Sequence, residues 1–553
     1  MSLEATRRPF DFNHTMHKKL LLLFAFILLS FTSLYAQQQT IYLNRDYNRT
    51  IERELLLKQK TYHSNMRPFL YSNLDSLIAI DSAVNAYFNT DTAKKRNWFL
   101  RKLSQEHLAQ VNQSNVRIYA DLLFDFNMGK ELNQGTIFTN TRGAQLGGDI
   151  GNKFSFYTAI TENLSKFPEY LNKYVRERKV VPGQSVARIS PDGSVDYAVP
   201  YGYISYTPNT NFNFQLGQGK NFIGDGYRSL FLSDGSYTYP YFKITTTFWK
   251  IKYTNLWTQY IDGSEGLKVT SKTTFPKKYA SYQFLSYQVN RRLNLNFFQA
   301  LVWPQDSTGG SSVEWAYINP IIYFNALNFN MGSPANSLMG LGFSYQLMKS
   351  HKLYGQLLID DFNLGNLSKQ GGTYFQEKYA YQLGWKYFDV LNVPNLYFQA
   401  EFNRSRPYVY THRTLKINYT HFNEPLAHPL GANFNELILI GAYKFRKLEL
   451  NGKMNYATYG ADNNGTHYGK NIFLSDIDSQ YGQDSFGNNT GQGIKTKLSN
   501  LQADLSYLVN PKTNMKLCLG LSKRIESSSI VSTNSTMVYF GIKTALNNFY
   551  YDF

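Results

Sequence analysis

From about Val116 to the C-terminus, apolar and polar residues alternate with a period of two. In Phe242, Ile244, Thr246 and Phe248 every second residue is apolar or β-branched, and Lys243, Thr245 and Thr247 fill the positions between them. That period belongs to a strand with one apolar and one polar face. Residues 211–262 hold three such segments, joined by a glycine-rich turn region and a short connection around Lys250. The pattern recurs at 153–164, 201–208, 278–289, 292–303, 337–348, 352–362, 379–388 and 395–404, and again at 436–445, 447–456, 497–508, 512–523 and 536–546. About 18 strands are expected in all.

The alternation also predicts which face is wet. Leu396, Phe398, Ala400 and Phe402 share one face, opposite Asn395, Tyr397, Gln399, Glu401 and Asn403. A glutamate facing lipid is costly, so Glu401 is expected to point inward. Met515, Leu517, Leu519 and Leu521 likewise leave Cys518 on the inner side with Asn514 and Lys516. Connections at 388–395, 446–447 and 510–511 are short, as periplasmic turns are. Those at 165–200, 262–277 and 460–495 are long and rich in Gly, Asn, Ser or charge, as extracellular loops are. These features predict an all-β transmembrane barrel of antiparallel strands over 116–553. At the end of the chain Phe549, Tyr551 and Phe553 alternate like a terminal strand, after a bulge or turn at Asn547-Asn548.

The N-terminal region reads differently. Ile51, Leu55 and Leu56, then Leu74, Leu77 and Ile78, then Trp98, Phe99, Leu103 and Leu108 recur at helical spacing. Three short helices are expected within 37–115, with Pro68 between the first two and Thr90 or Asp91 capping the last. They form either a plug in the periplasmic mouth or a tethered periplasmic arm. Their Leu and Phe content needs a surface to bury against, which favours the plug. Upstream, His17-Lys18-Lys19, the apolar run from Leu20 and Leu34-Tyr35-Ala36 form a secretory signal over 1–36, and Met16 marks residues 1–15 as an upstream-start extension.

Composition adds limits. The chain has 553 residues, 44 Tyr and 40 Phe, which fits many aromatic strands in one architecture. A single cysteine excludes an intramolecular disulfide framework and a multi-thiolate zinc site. Lys and Arg exceed Asp and Glu by 18 (57 against 39). In an exported protein that surplus points to anionic glycans or lipopolysaccharide, with outer-membrane lipid around the barrel and no nucleic acid.

Candidate chemistry is sparse, and no enzyme is expected. Gly219 and Gly224 have P-loop spacing, but Asp225 follows where Lys is required, and strands flank the run. His421, Glu424 and His428 raise a metal site, which Pro425 and Pro429 argue against by breaking any helix that would present them together. Asp476 and Asp478 open like a calcium loop without its glycine and closing glutamate. No cofactor or metal is expected. The features suited to binding are basic and aromatic. Arg176, Arg178, Lys179 and Arg188 lie beside Tyr174, and Arg404, Arg406, Tyr408, Tyr410 and His412 interleave cations with rings. Such groups stack on sugar faces and clasp carboxylates, and they also build the aromatic girdles and basic rims of ordinary barrels.

The segment LGQGKNFIGDGYRSLFLSDGSYTYPYFKI (216–244) resembles the signature of the Wzi-type capsule-assembly outer-membrane proteins, and 354–362, 406–412 and 418–433 add to the likeness. The branch it is most similar to is the gliding motility protein RemB group of Bacteroidetes. The resemblance covers most of 116–553 and implies an 18-stranded barrel with N-terminal helices that attaches or assembles surface polysaccharide without catalysis. Within the matching segments it adds Arg228, Tyr237, Tyr239, His421, Asn423 and His428 to the candidate glycan contacts. Two other readings stay open: a transport channel, and a component of a gliding or secretion machine whose loops dock other proteins.

Overall fold

The computed structural model describes residues 39–80, 82, 97–132, 134–264, 267, 275–305, 315–324, 335–361, 373–462, 466–476 and 486–553. The signal sequence and the Thr90/Asp91 cap lie outside the described residues. The barrel strands are β1 (Val116–Glu131), β2 (Gly135–Ile150), β3 (Phe154–Lys166), β4 (Val195–Tyr206), β5 (Phe212–Gly219) and β6 (Tyr239–Phe248). They continue with β7 (Ile251–Ile261), β8 (Lys277–Gln288), β9 (Leu293–Pro304), β10 (Asn336–Met348), β11 (His351–Asp361) and β12 (Lys378–Phe388). The last six are β13 (Leu396–Ser405), β14 (Phe434–Phe445), β15 (Leu448–Ala461), β16 (Ile494–Asn510), β17 (Met515–Ser527) and β18 (Ser532–Thr544). Each pairs antiparallel with the next, and β18 closes on β1 from Met537↔Glu131 to Lys543↔Asp125. The result is a closed 18-stranded barrel. Below the point where β18 stops, a short strand at Ala109–Gln113 takes over pairing with the free edge of β1, so the sheet begins upstream of Val116.

Closure removes every strand edge, the requirement for backbone inside a bilayer. The side chains obey the same rule. Leu517, Leu519 and Leu521 are exposed on the outside of β17, while Lys516 and Cys518 are buried inside. On β13 Glu401 is buried, as the alternation predicts. One mouth carries short turns, where Asp389, Asn392, Asn395 and Asn514 take left-handed backbone conformations that these residue types tolerate best. The other mouth carries the long connections.

Three kinds of segment fill the lumen. The first is N-terminal. Helix α1 (Arg45–Leu57) is capped by Asn44, whose side chain accepts from the Tyr47 N–H. It packs Ile51 and Leu55 against Leu74 and Ile78 of α2 (Tyr71–Ile78) and against Leu508 of β16. Arg53 holds Asp389 at the short-turn mouth (2.8 Å), and Met66-Arg67 pairs with Phe222-Ile223 deep inside. Helix α3 (Trp98–Ser104) differs from α1 and α2. Asn510 of β16 holds it through the Lys102 and Glu106 carbonyls, and Trp98, Phe99 and Leu103 stay exposed, contrary to the expected burial.

The second kind is inward-folded loop. Residues 220–238 and 406–433 join strands at the long-loop mouth but turn into the barrel. Glu401 accepts from the Tyr227 N–H (2.6 Å), the Arg228 N–H (3.0 Å) and the Tyr354 hydroxyl (2.8 Å). Gln356 accepts from the Leu230 N–H and donates to the Ile223 carbonyl. A Cβ on Gly226 would sit 2.4 Å from a Glu401 oxygen, so this glycine serves close approach of loop to wall.

The third is the C-terminal tail, and it corrects the expected terminal strand. β18 ends at Thr544, and Ala545–Phe553 turns into the lumen. Asn44 and Asn514 both donate to the Ala545 carbonyl (2.8 and 2.7 Å), which fixes the turn where the sequence phase shifts. Phe549, Tyr551 and Phe553 therefore face plug, cavity and loop, and none faces lipid.

Two substitutions test this arrangement. Leu519→Arg places a charge on the outer face and should cost about 2–4 kcal/mol if that site lies near the bilayer midplane, read as reduced folded fraction in lipid vesicles. Glu401→Ala removes an acceptor from two buried N–H groups, each worth about 1–3 kcal/mol when left unpaired. The barrel should still form, but its melting in detergent should fall well below that of the parent protein.

Candidate lumenal binding site

The plug does not fill the lumen completely. One cavity of about 790 Å³ lies between the plug and the wall formed by β1–β4 and β16–β18. Its lining runs from Pro511, Lys512 and Gln39 at the short-turn mouth to Lys166, Phe167 and Gln184 at the long-loop mouth. Leu546, Phe549, Tyr551 and Asp552 of the tail form part of its inner side.

The wall is tyrosine and amide. Period two puts Tyr197, Tyr201 and Tyr203 on the inner face of β4, while Ile204 and Tyr206 face out. Tyr157 of β3 stacks on Tyr203 with ring centres 5.8 Å apart and meets Tyr42 edge-on at 6.0 Å. The Tyr157 hydroxyl donates to Gln145 (2.9 Å), whose amide donates to Asp121, which also binds His107. The rings are thus fixed by hydrogen bonds at their tips. Rigid aromatic faces beside Asn, Gln and Thr groups suit an extended, hydroxyl-rich chain.

Few of the residues suggested by the sequence reach this cavity. Arg228 is fully buried in an ion-pair cluster, with Glu436 at 3.0 Å and Asp552 at 3.0 Å. Tyr239 and Tyr408 are fully buried, the first bonded to the Asn221 N–H and the second to the His467 carbonyl. Arg406 is buried and donates to the Tyr374 and Asn488 carbonyls. Arg404 is half-buried on the outer face of β13, so it does not join Arg406 and Tyr408 in one site. His412 is half-buried at the foot of a turn, accepting from the Thr414 N–H. His428 is bound to Glu436 (2.7 Å) and stacked on Phe434.

One group does converge, at the long-loop mouth. Helix α4 (Glu169–Arg178) carries Arg176, exposed and paired with Glu169, and Arg178, which lies over the Phe473 ring at 4.1 Å. Asn423 donates to the Arg178 carbonyl (3.1 Å), and Tyr237 packs on Phe422 and His421. His421 and Glu424 do not meet His428 on a common centre: His421 accepts from Ile261, Glu424 from Gly183 and Tyr237, His428 binds Glu436, and Asp476 pairs with Lys378 at 2.6 Å. Asp478 lies outside the described residues. The cavity tyrosines went unmarked in the sequence because spacing puts them on one face of a strand without showing which part of the lumen the inserts leave open.

Two buried titratable groups support the inner end of this mouth. Burial pushes the His421 imidazole down to about 3; its Nδ1 accepts from the Ile261 N–H, which requires the neutral ring. Burial pushes the Glu424 carboxyl up to about 8, against the bonds it accepts from the Gly183 and Tyr237 N–H groups and the nearby Lys220 charge.

No protein-family model matches the chain, and no curated protein matches it. Solved structures do. Wzi of Escherichia coli, described as an outer-membrane protein involved in group 1 capsule assembly and a carbohydrate-binding β-barrel, aligns with a TM-score of 0.54 and 14% identity. The alignment covers 92% of this chain and 100% of Wzi. OccK8 of Pseudomonas aeruginosa aligns with a TM-score of 0.42 and 12% identity over 78% of this chain and 98% of that one. The fold is therefore Wzi-like; identity at this level speaks to architecture alone.

The pH behaviour of the mouth follows from the two shifts. The stabilising contribution of neutral His421 is complete above 6.5 and is lost as pH falls toward about 3. That of protonated Glu424 is complete below 4.5 and is lost as pH rises toward about 8. Protection of the Gly183, Tyr237 and Ile261 amides, measured against the intrinsic exchange rate at each pH, should be greatest where the two windows overlap, from 4.5 to 6.5, and fall on both sides. His421→Gln should remove the acid limb and Glu424→Gln the alkaline one.

Proposed function

We propose that this protein is an outer-membrane β-barrel that binds surface polysaccharide and helps attach or assemble it, without catalysing a reaction on it. The observation that carries the reading is the lumen: a barrel filled by its own helices, loops and tail, with a cavity among the described residues walled by fixed tyrosines and amides. A diffusion pore needs an unobstructed bore, whereas a glycan-binding barrel needs rigid aromatic and polar surface. The Wzi-like architecture agrees, since that E. coli protein is described as carbohydrate-binding.

The apolar outer face fits outer-membrane lipid, and the exposed Arg176 and half-buried Arg178 at the long-loop mouth fit lipopolysaccharide or an anionic glycan. A finer form of the proposal links the polysaccharide to gliding in Bacteroidetes. Its support is the sequence resemblance of 216–244, 406–412 and 418–433 to the RemB branch. A gliding or secretion partner would then appear in stoichiometric amount on mild-detergent purification.

Purified protein in detergent should bind isolated surface polysaccharide in a pull-down or by calorimetry. Tyr201→Ala and Tyr551→Ala each remove one cavity ring and should weaken binding by about 1 kcal/mol, the scale of a single aromatic contact. Absence of binding to both anionic and neutral polysaccharides would replace the glycan reading with that of a machine component.

A further inference from the structure

The tail is placed unlike the rest of the plug. Extended chain rises about 3.3 Å per residue, so Ala545–Phe553 can run about 30 Å, the depth of a bilayer's hydrocarbon core. Its contacts follow that path. Ala545 is held by Asn44 and Asn514 at the short-turn mouth, and Asn548 binds the Arg45 N–H and Asp234 midway. The Tyr551 carbonyl accepts from Tyr170 and the Phe553 carbonyl from Arg524 at the long-loop mouth.

Its grip is polar. Asp552 binds Lys453 and the Tyr227 hydroxyl (2.8 and 2.6 Å) beside Arg228. Burial alone would raise this carboxyl, but the Arg228 and Lys453 charges hold it well below the carboxylate range, so it stays charged. On its other flank Phe549 is 42% exposed and lines the cavity. A segment that makes no strand pairing and is held by side-chain contacts along one side of such a cavity can leave without unfolding the wall.

We propose that the C-terminal tail is a removable plug, and that its departure widens the lumenal cavity into a conduit for linear, hydroxyl-rich chains. The inner wall of β2–β4, with Tyr157, Tyr201 and Tyr203, then forms the track along which such a chain slides, its sugar faces passing from ring to ring. The assignment of the track to sugar chains rests on the glycan reading of the same cavity, whereas the departure of the tail does not.

The test is planar-bilayer recording on three full-barrel proteins: the parent, a variant lacking 546–553, and Asp552→Asn. Cold gel mobility that shifts on boiling verifies that each is a folded barrel. The parent should stay closed. The truncation should give stepwise conductance, and maltohexaose should block its current. Asp552→Asn keeps the tail but removes its main charge clasp, and should flicker between closed and open levels. A folded truncation that conducts no more than the parent overturns the proposal. If the truncation fails to fold, a silent Asp552→Asn overturns it instead. A conducting variant indifferent to maltohexaose overturns the assignment of the track to sugar chains. None of these outcomes depends on whether the parent binds surface polysaccharide.

Discussion

The interior of this barrel depends on pairing between cations on the wall and carboxylates on the segments inserted into it. Lys386 binds Glu52 of α1, Lys516 binds Asp46 of α1, Lys352 binds Asp225 of the inward loop, and Lys453 binds Asp552 of the tail. Each of these lysines sits where alternation turns a side chain inward. Left unpaired, each would be a charge buried away from water, at a cost of several kcal/mol. An inserted carboxylate is therefore held in one place and not merely somewhere in the lumen. Arg228 shows the reverse arrangement, a cation on an insert meeting Glu436 of β14. Helix, loop and tail are located by charge, and apolar packing then fills the gaps between them.

This pairing changes the meaning of the basic surplus. Lys and Arg outnumber Asp and Glu, which from the sequence pointed toward anionic partners. Much of the cationic charge that can be placed in the structure is instead directed inward and matched. Arg228, Lys352, Lys378, Lys386 and Lys516 are all buried in such pairs. At the long-loop mouth Lys173, Arg176, Lys179 and Arg188 stay exposed, with Arg176 paired to Glu169. Inside the cavity, recognition of a ligand falls to ring faces and amides, while at the mouth these cations face solvent.

The wall was legible because its signal is local. A period of two, checked by Glu401 and Lys516 on one side and Leu517 and Leu519 on the other, identifies strands and their inner faces. The inward loops and the tail were not legible, because what turns them inward lies far away in sequence. Residues 220–238 have the glycine, serine and aromatic content of an extracellular loop, and their inward course is set by Glu401, Gln356 and Gln382 on other strands. The tail misled in the same way. Phe549, Tyr551 and Phe553 alternate like a lipid-facing strand, and Asp552 between the last two fits the wet face of such a strand as well as it fits the buried clasp it makes. Arg406 and Tyr408 were singled out for mixing cations with rings, but a dry plug core uses the same chemistry. Arg45 lies over the Tyr227 ring at 3.8 Å and the Tyr550 ring at 4.3 Å.

The three inserts are not equally fixed, and topology explains why. The loops 220–238 and 406–433 are tied to the wall at both ends, and their backbones are stitched to it and to each other. Tyr410 and Tyr419 donate to the carbonyls of Leu230 and Phe231, so moving one loop breaks bonds in the other. Helix α1 is anchored by Arg53 at the rim and by Glu52 between Lys386 and Arg67 inside. The tail makes no strand pairing after Thr544. Its release breaks side-chain clasps and leaves every strand pairing intact, so Arg228 keeps Glu436 as a partner even after Asp552 departs. Barrels of one architecture can thus differ in what they do according to how each insert is held.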